Sequence, residues 1–507
     1  MEVAYGLKIL KSENYKSVHL KISFNCSLTN QKNMKKLLFI LLLAISFNVQ
    51  GQKTPVVDPV PSKAQVAWHD MEYYWFTHFG PNTFTDKEWG HGDEPEDIFN
   101  PTQLDCRQWA RLAKASGAKG IIITAKHHDG FCLWPSKYST HTVRESKWKN
   151  GKGDVVKELS LACKEYGLKF GVYLSPWDRN HPKYGTPEYN QVFVNMMEEI
   201  FANYGPIWEF WWDGANGEGP NGKKQEYDWE LFRNTIKKLS PNTVVFSDVG
   251  PHVRWVGNES GIAGATNWNL LNVTGFSAGA AGPSTDTLNR GNMYGEKWIP
   301  AECDVSVRPG WFYHKEEDNK VKTPAFLFNL YLKSVGRGAN LLLNIPPDRT
   351  GQINANDSVA LIGFKKLKEK NFSTNLFAKK GVIIKNNSTG KATILLTDKK
   401  QNSFEKLSIG QSAAITIDLG QATTINAIQL SEPIELGQRV FNFRIYLKDD
   451  KDAILKEIKA TTIGRNRILS FPSVNAKSIE LMIDGSKETP LISEVAAYHI
   501  EESLIEK

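Results

Sequence analysis

Between about Trp68 and Pro347, short runs rich in β-branched and aromatic residues alternate with segments of helical periodicity, and nothing else in the chain constrains its fold as strongly. Strand–helix alternation is the pattern of a parallel sheet, and this many repeats predict a closed barrel. Candidate strands are residues 73–79, 120–125, 169–175, 207–212, 243–248, 298–303 and 340–345, and candidate helices are 107–116, 155–166, 188–204 and 229–239. After Glu259 the sequence is Gly-rich and weakly periodic, which predicts missing or irregular crossover helices there. The expected fold class is α/β, a (β/α)8-like TIM barrel over residues 60–356. Beyond Asp357 Trp disappears, and short alternating runs at 413–420, 425–430 and 441–447 are separated by turns. That spacing predicts a C-terminal antiparallel β-sandwich over residues 380–507.

In such a barrel the strand ends form the active face, so their polar residues are the candidates for chemistry. Trp211-Trp212-Asp213-Gly214 closes the run Ile207-Trp208-Glu209-Phe210 and places a carboxylate after bulky aromatics. The glycine permits a tight exit from the strand. A partner acid is needed to protonate a leaving oxygen. Glu259 in Trp255-Val256-Gly257-Asn258-Glu259-Ser260-Gly261 is one candidate, one strand further round the barrel, with Arg254 close before it. Glu302 and Asp304 in Pro300-Ala301-Glu302-Cys303-Asp304 also end a strand, and the residues alone leave this choice open. Two carboxylates amid clustered tryptophans are the equipment of a glycosidase.

His127 and His128 follow the second strand directly, and His78 ends the first. A zinc site of a metal-dependent hydrolase is the competing reading. Adjacent strand residues point to opposite sides and no His-rich partner motif appears, so sugar contact is the expected role and no metal or other cofactor is expected. Glu88-Trp89, Tyr173 and Trp311 add an acid, a hydroxyl and flat apolar faces at strand ends. A non-catalytic secreted glycan-binding protein on a degenerate barrel is the other alternative, and the presence of both candidate acids argues against it.

The formal charge of +7 suggests acidic partners until the leading residues are set aside. The first 51 hold seven Lys and two acids, leaving 55 basic against 53 acidic residues, which argues against nucleic acid. Within that segment Met34-Lys35-Lys36, an apolar core from Leu37 to Phe47 and a small residue at Gly51 have the form of a secretory signal peptide at 34–51. The core is too short for a membrane span, and no Cys follows it to carry a lipid anchor. Residues 1–33 are expected to be a mis-called upstream extension, and the destination is the periplasm or the exterior. The four remaining cysteines, Cys106, Cys132, Cys163 and Cys303, have the spacing of neither a zinc site nor a disulfide framework.

Taken in order, Trp75 to Gly80, Glu88-Trp89, Lys126 to Phe131, Gly171 to Ser175, Trp211 to Gly214, Val253 to Gly261 and Trp298 to His314 resemble the α-L-fucosidases of glycoside hydrolase family 29. The resemblance implies a retaining double displacement on a fucosylated oligosaccharide or glycoconjugate, with Asp213 as nucleophile. It carries fucose-binding positions over to His78, Glu88, Trp89, His127, His128, Tyr173, Trp211, Arg254 and Trp311, with Glu302 and Asp304 kept among the sugar-contacting candidates. Gly257-Asn258-Glu259 resembles the branch selective for α-1,3- and α-1,4-linked fucose and implies Glu259 as acid/base. Trp212 stands where many relatives have Phe. The tail resembles a discoidin-like carbohydrate-binding module, with few aromatics left to hold a sugar.

Overall fold

The computed structural model describes residues 54–279, 282–410 and 412–505, so the expected extension at 1–33 and signal peptide at 34–51 lie outside the described residues. Eight parallel strands form the barrel: β1 (Tyr73–Thr77), β2 (Gly120–Lys126), β3 (Lys169–Leu174), β4 (Glu209–Trp211), β5 (Val244–Ser247), β6 (Val253–Trp255), β7 (Ala301–Ser306) and β8 (Asn340–Asn344). They close in sequence order, with β1 between β2 and β8. Helices Cys106–Ala115, Val155–Tyr166, Glu188–Asn203, Trp229–Leu239, Pro324–Lys333 and Ala355–Asn371 complete the described barrel. Side chains of Asp105, Asp154, Asp228 and Thr323 accept the first free amides of four of them. Each such cap contributes about 1 kcal/mol.

Two expectations change here. The barrel has an eighth strand, β6, that the periodicity did not reveal, because three residues are too few to show a period of two. It follows β5 after only five residues, with no crossover helix. The candidate strand at 298–303 splits at Pro300, which has no N–H to offer a ladder. Lys297–Trp298 pairs instead with Leu270–Leu271, and the barrel strand begins at Ala301. The β6–β7 connection carries one short helix, Thr285–Arg290, in keeping with the weak periodicity of that region.

Strand alternation sorts side chains into two populations. Tyr74, Phe76, Tyr173, Trp211, Phe246, Val253 and Leu342 fill the barrel interior. Tyr73, Trp75, Ile121, Ile123, Val172 and Phe210 pack under the helices. A helix before the barrel, Lys63–His69, presses Trp68 into the interior from below, and Gln65 anchors it on the His252 and Trp298 carbonyls at 2.8 and 2.7 Å.

The C-terminal β-sandwich is built on two long antiparallel strands, Ile415–Ser431 and Arg467–Ser486, flanked by Val440–Lys448, Ile454–Ala460, Ile383–Asn386 and Glu494–Tyr498. The runs expected at 413–420 and 425–430 are one strand with irregular register between Asp418 and Thr423. The expected barrel boundary at 356 falls inside the helix Ala355–Asn371, which packs on Pro324–Lys333. The sandwich shares the barrel's core: Ala427, Ile468, Ala496, Tyr498, Ile500, Leu504 and Ile505 belong to the same hydrophobic core as the barrel helices. A chain cut after Phe372 is therefore expected to be insoluble, or to melt at least about 10 °C lower than the full chain. A soluble, cooperatively unfolding fragment with an unchanged Tm would show the shared core to be dispensable. Among the described residues no helix is long and apolar enough to cross a membrane.

Candidate active site

A cavity of about 290 Å³ opens at the C-terminal ends of the strands. Period-two alternation along β4 and beyond puts Glu209, Trp211 and Asp213 on the interior face, deepest first. Asp213 stands at the mouth with about a quarter of its side chain exposed. One oxygen accepts the Ala215 amide at 2.7 Å and the other the Tyr173 hydroxyl at 3.0 Å. His128 Nε2 lies 3.7 Å from that second oxygen. Burial and the Asp213 charge push the Tyr173 hydroxyl far above its usual pKa, so it stays a donor. Gly214 leaves room for Asp248: a Cβ at 214 would lie 1.8 Å from Asp248 Oδ2, so that carboxylate would have to move.

His78, His127 and His128 all line the cavity. The two adjacent histidines share a side because β2 slips by one residue against β3 between Thr124 and Lys126 and then ends. Lys126 itself turns away and is buried against Asp178 at 3.1 Å. Nδ1 of His78 meets Asn344 Oδ1 and Nδ1 of His128 meets Ser175 Oγ, each at 2.8 Å, which fixes both rings. Burial lowers the pKa of His78 and His128 to about 4 and holds that of His127 well below its ordinary value, so all three are neutral above mildly acidic pH. Neutral imidazoles both donate and accept, which suits sugar hydroxyls. Among the described residues no three His, Cys, Asp or Glu side chains gather into a metal-holding group.

Glu259 reaches the cavity from the loop after β6, two strands round from Asp213 rather than one, because β5 lies between β4 and β6. Asn258 braces that loop: its side chain takes the Ser260 and Ile262 amides and donates to the Ile262 carbonyl. Glu259 is exposed, and the Trp311 indole donates to it at 3.3 Å. Glu88 holds the Trp311 loop in place, accepting the Trp311 and Phe312 amides at 2.8 and 3.2 Å and meeting His314 Nε2 at 2.6 Å. Trp89, 54% exposed, stands edge-on to His128 and Trp177 and offers a flat apolar face at the rim.

Of the residues named from sequence, His78, Glu88, Trp89, His127, His128, Tyr173, Trp211, Asp213, Glu259, Asp304 and Trp311 all line this one cavity. Arg254 and Glu302 do not. Arg254 lies one position out of phase with the inward-facing Val253 and points outside the barrel. There it is fully buried, and its guanidinium donates to the carbonyls of Leu288, Ile299 and Trp268. Glu302 faces inward but one layer too deep, sealed beneath Trp211. Asp304, two residues further along β7, reaches the cavity, and burial followed by the nearby Glu259 and Glu302 charges holds its carboxyl well above the usual range. Its Oδ1 is buried without a hydrogen-bond partner. Sequence reasoning missed Phe76, Phe246, Asp248 and Trp255 as lining residues. Asp248 had a signal, since it ends a candidate strand. Burial and Asp213 raise its pKa to about 6.

The family model for α-L-fucosidase matches residues 57–366. The chain is 41% identical over 450 residues to α-L-fucosidase 1 of Arabidopsis thaliana, an alignment covering 87% of each. A structure described as a putative α-L-fucosidase from Bacteroides ovatus is 44% identical, with a TM-score of 0.76 over 87% of this chain and 74% of that one. A GH29 fucosidase from Ruminococcus gnavus in complex with fucose is 30% identical and superposes with a TM-score of 0.79, covering 90% and 98% of the two chains. A fucosidase family model over the barrel, and relatives matched along about three quarters or more of their length, accord with a strand-end pocket lined by carboxylates, histidines and tryptophans. The chain belongs to the α-L-fucosidases of glycoside hydrolase family 29.

Proposed function

We propose that the chain is a retaining exo-α-L-fucosidase that releases terminal α-1,3- or α-1,4-linked L-fucose from branched glycans, with Asp213 as nucleophile and Glu259 as acid/base. The observation that carries this reading is that both carboxylates face one small cavity from different barrel loops. Asp213 attacks the anomeric carbon as the glycosidic C–O bond breaks, and the leaving oxygen takes the proton of Glu259. Glu259, now a carboxylate, draws a proton from water, whose oxygen displaces Asp213 from the fucosyl ester. The roles suit the surroundings. Asp213 is held in place by two hydrogen bonds, while Glu259 sits at the exposed rim where an aglycone leaves and water arrives. A retaining pair keeps its carboxyl groups about 5–5.5 Å apart, and a fucose complex of this protein is expected to show that spacing.

The small size of the cavity, about 290 Å³, supports exo action, since it suits a terminal sugar rather than a long stretch of chain. The Gly257-Asn258-Glu259 sequence supports the α-1,3/1,4 preference. Lewis-type trisaccharides should therefore be cleaved with kcat/KM at least about tenfold above that for 2'-fucosyllactose. Faster cleavage of the α-1,2 linkage would overturn the preference and leave the mechanism standing. The sequence at 34–51 supports export to the periplasm or the exterior, which N-terminal sequencing of the protein from its native cells tests. A mature chain starting near residue 52 is expected, and one retaining residues 34–51 would refute cleavage.

A further inference from the structure

We propose that Glu302, paired with Glu209 inside the barrel, is a positioning residue that locks the Trp211 indole as a wall of the sugar pocket. Both glutamates are fully buried, in the layer directly beneath the cavity. Glu302 Oε1 accepts the Trp211 indole N–H at 2.8 Å, and Oε2 accepts the Tyr74 hydroxyl. Glu209 accepts the Trp68 indole at 3.1 Å and lies within hydrogen-bond reach of Glu302. Neither has a Lys, Arg or His partner among the described residues.

Two carboxyls sealed together without a cation hold at most one charge. Glu302, which takes the two donors Trp211 and Tyr74, is the better carboxylate, so the proton resides on Glu209 and bridges the pair. Burial and mutual repulsion both push in that direction, raising Glu209 well above the usual range. An apolar layer of equal volume would be cheaper than buried acids, so their presence calls for a function of position rather than stability. Trp211 supplies it. Its ring is stacked on Phe246 at 3.8 Å and 5°, with Tyr173 beside it at 5.4 Å, and its edge lines the cavity next to Asp213. Stacking alone permits the indole to flip, whereas a charged acceptor on its N–H leaves one orientation.

The inference rests on the pocket being the fucose site, and binding of L-fucose to the wild-type chain by calorimetry tests that first. Absence of such binding refutes the site assignment itself. Given wild-type binding, Glu302→Gln leaves one amide oxygen for two buried donors. It is expected to weaken fucose affinity and raise KM for an aryl fucoside by about tenfold, with a smaller change in kcat. Glu209→Gln keeps an N–H donor toward Glu302 and should stay within about threefold of wild type. Should Glu302→Gln not fold, Trp211→Phe keeps an aromatic wall and removes only the anchored N–H, and it should lose about the same affinity. Where both fold, combining them should add little to either alone. Wild-type fucose affinity in Glu302→Gln or Trp211→Phe, or equal losses in the two glutamine variants, would overturn the proposal.

Discussion

Asp213→Gly is expected to lower kcat/KM for 4-nitrophenyl α-L-fucoside by roughly four to six orders of magnitude, while the protein folds as before. The size follows from the role, since no covalent intermediate forms without this carboxylate and the remaining groups only bind and orient. Folding should survive because Asp213 is partly exposed beyond the end of β4 and is held by a single hydroxyl and a single amide. Azide, small enough to occupy the space left by the carboxylate, should then attack the intact substrate from the same face and yield β-fucosyl azide by one inversion. NMR of the product decides the matter. Near-wild-type turnover, or an α-configured azide from this variant, would remove Asp213 from the role of nucleophile.

Glu259→Ala should show the complementary behaviour. Loss of the acid costs about 10²–10⁴-fold on oligosaccharides, whose alkoxide leaving groups need a proton, and much less on a 4-nitrophenyl substrate, which leaves unaided. The fucosyl ester still forms on Asp213 but lacks a base for its hydrolysis, so azide should intercept it and give α-fucosyl azide by two inversions. The same experiment on Glu302→Ala separates the rival assignment. Glu302 is sealed beneath Trp211, with no water-accessible surface from which to protonate a glycosidic oxygen. Rescue to α-azide by Glu302→Ala and not by Glu259→Ala would transfer the acid/base role and leave the nucleophile in place.

Much of the site was legible because strand ends and strand parity are local properties. The Trp-Trp-Asp-Gly run implies an interior indole followed by a mouth carboxylate, and the structure has Trp211 and Asp213 in those places. Parity also explains the residues that moved. Arg254 lies beside the Glu259 loop in sequence, yet three-residue β6 turns it outward, and no pattern that short can be read in advance. Glu302 and Asp304 are on the same face of β7, and only their depth in the barrel separates a buried anchor from a lining acid.

The sequence by itself determined the alternation that makes a barrel, the four helices between its first strands, and the strand-end residues available for chemistry, because each depends on neighbours within a few positions. Closure decided the rest. Hydrogen bonding of β1 to β8 joins residues more than 260 positions apart and sets the ring that brings the loops after β4 and β6 over one cavity. The same closure stacks Glu302 of β7 under Trp211 of β4 and draws Ile468 and Tyr498 of the sandwich into the barrel's core. No local period encodes such contacts, since they arise only when every inward face has found the others.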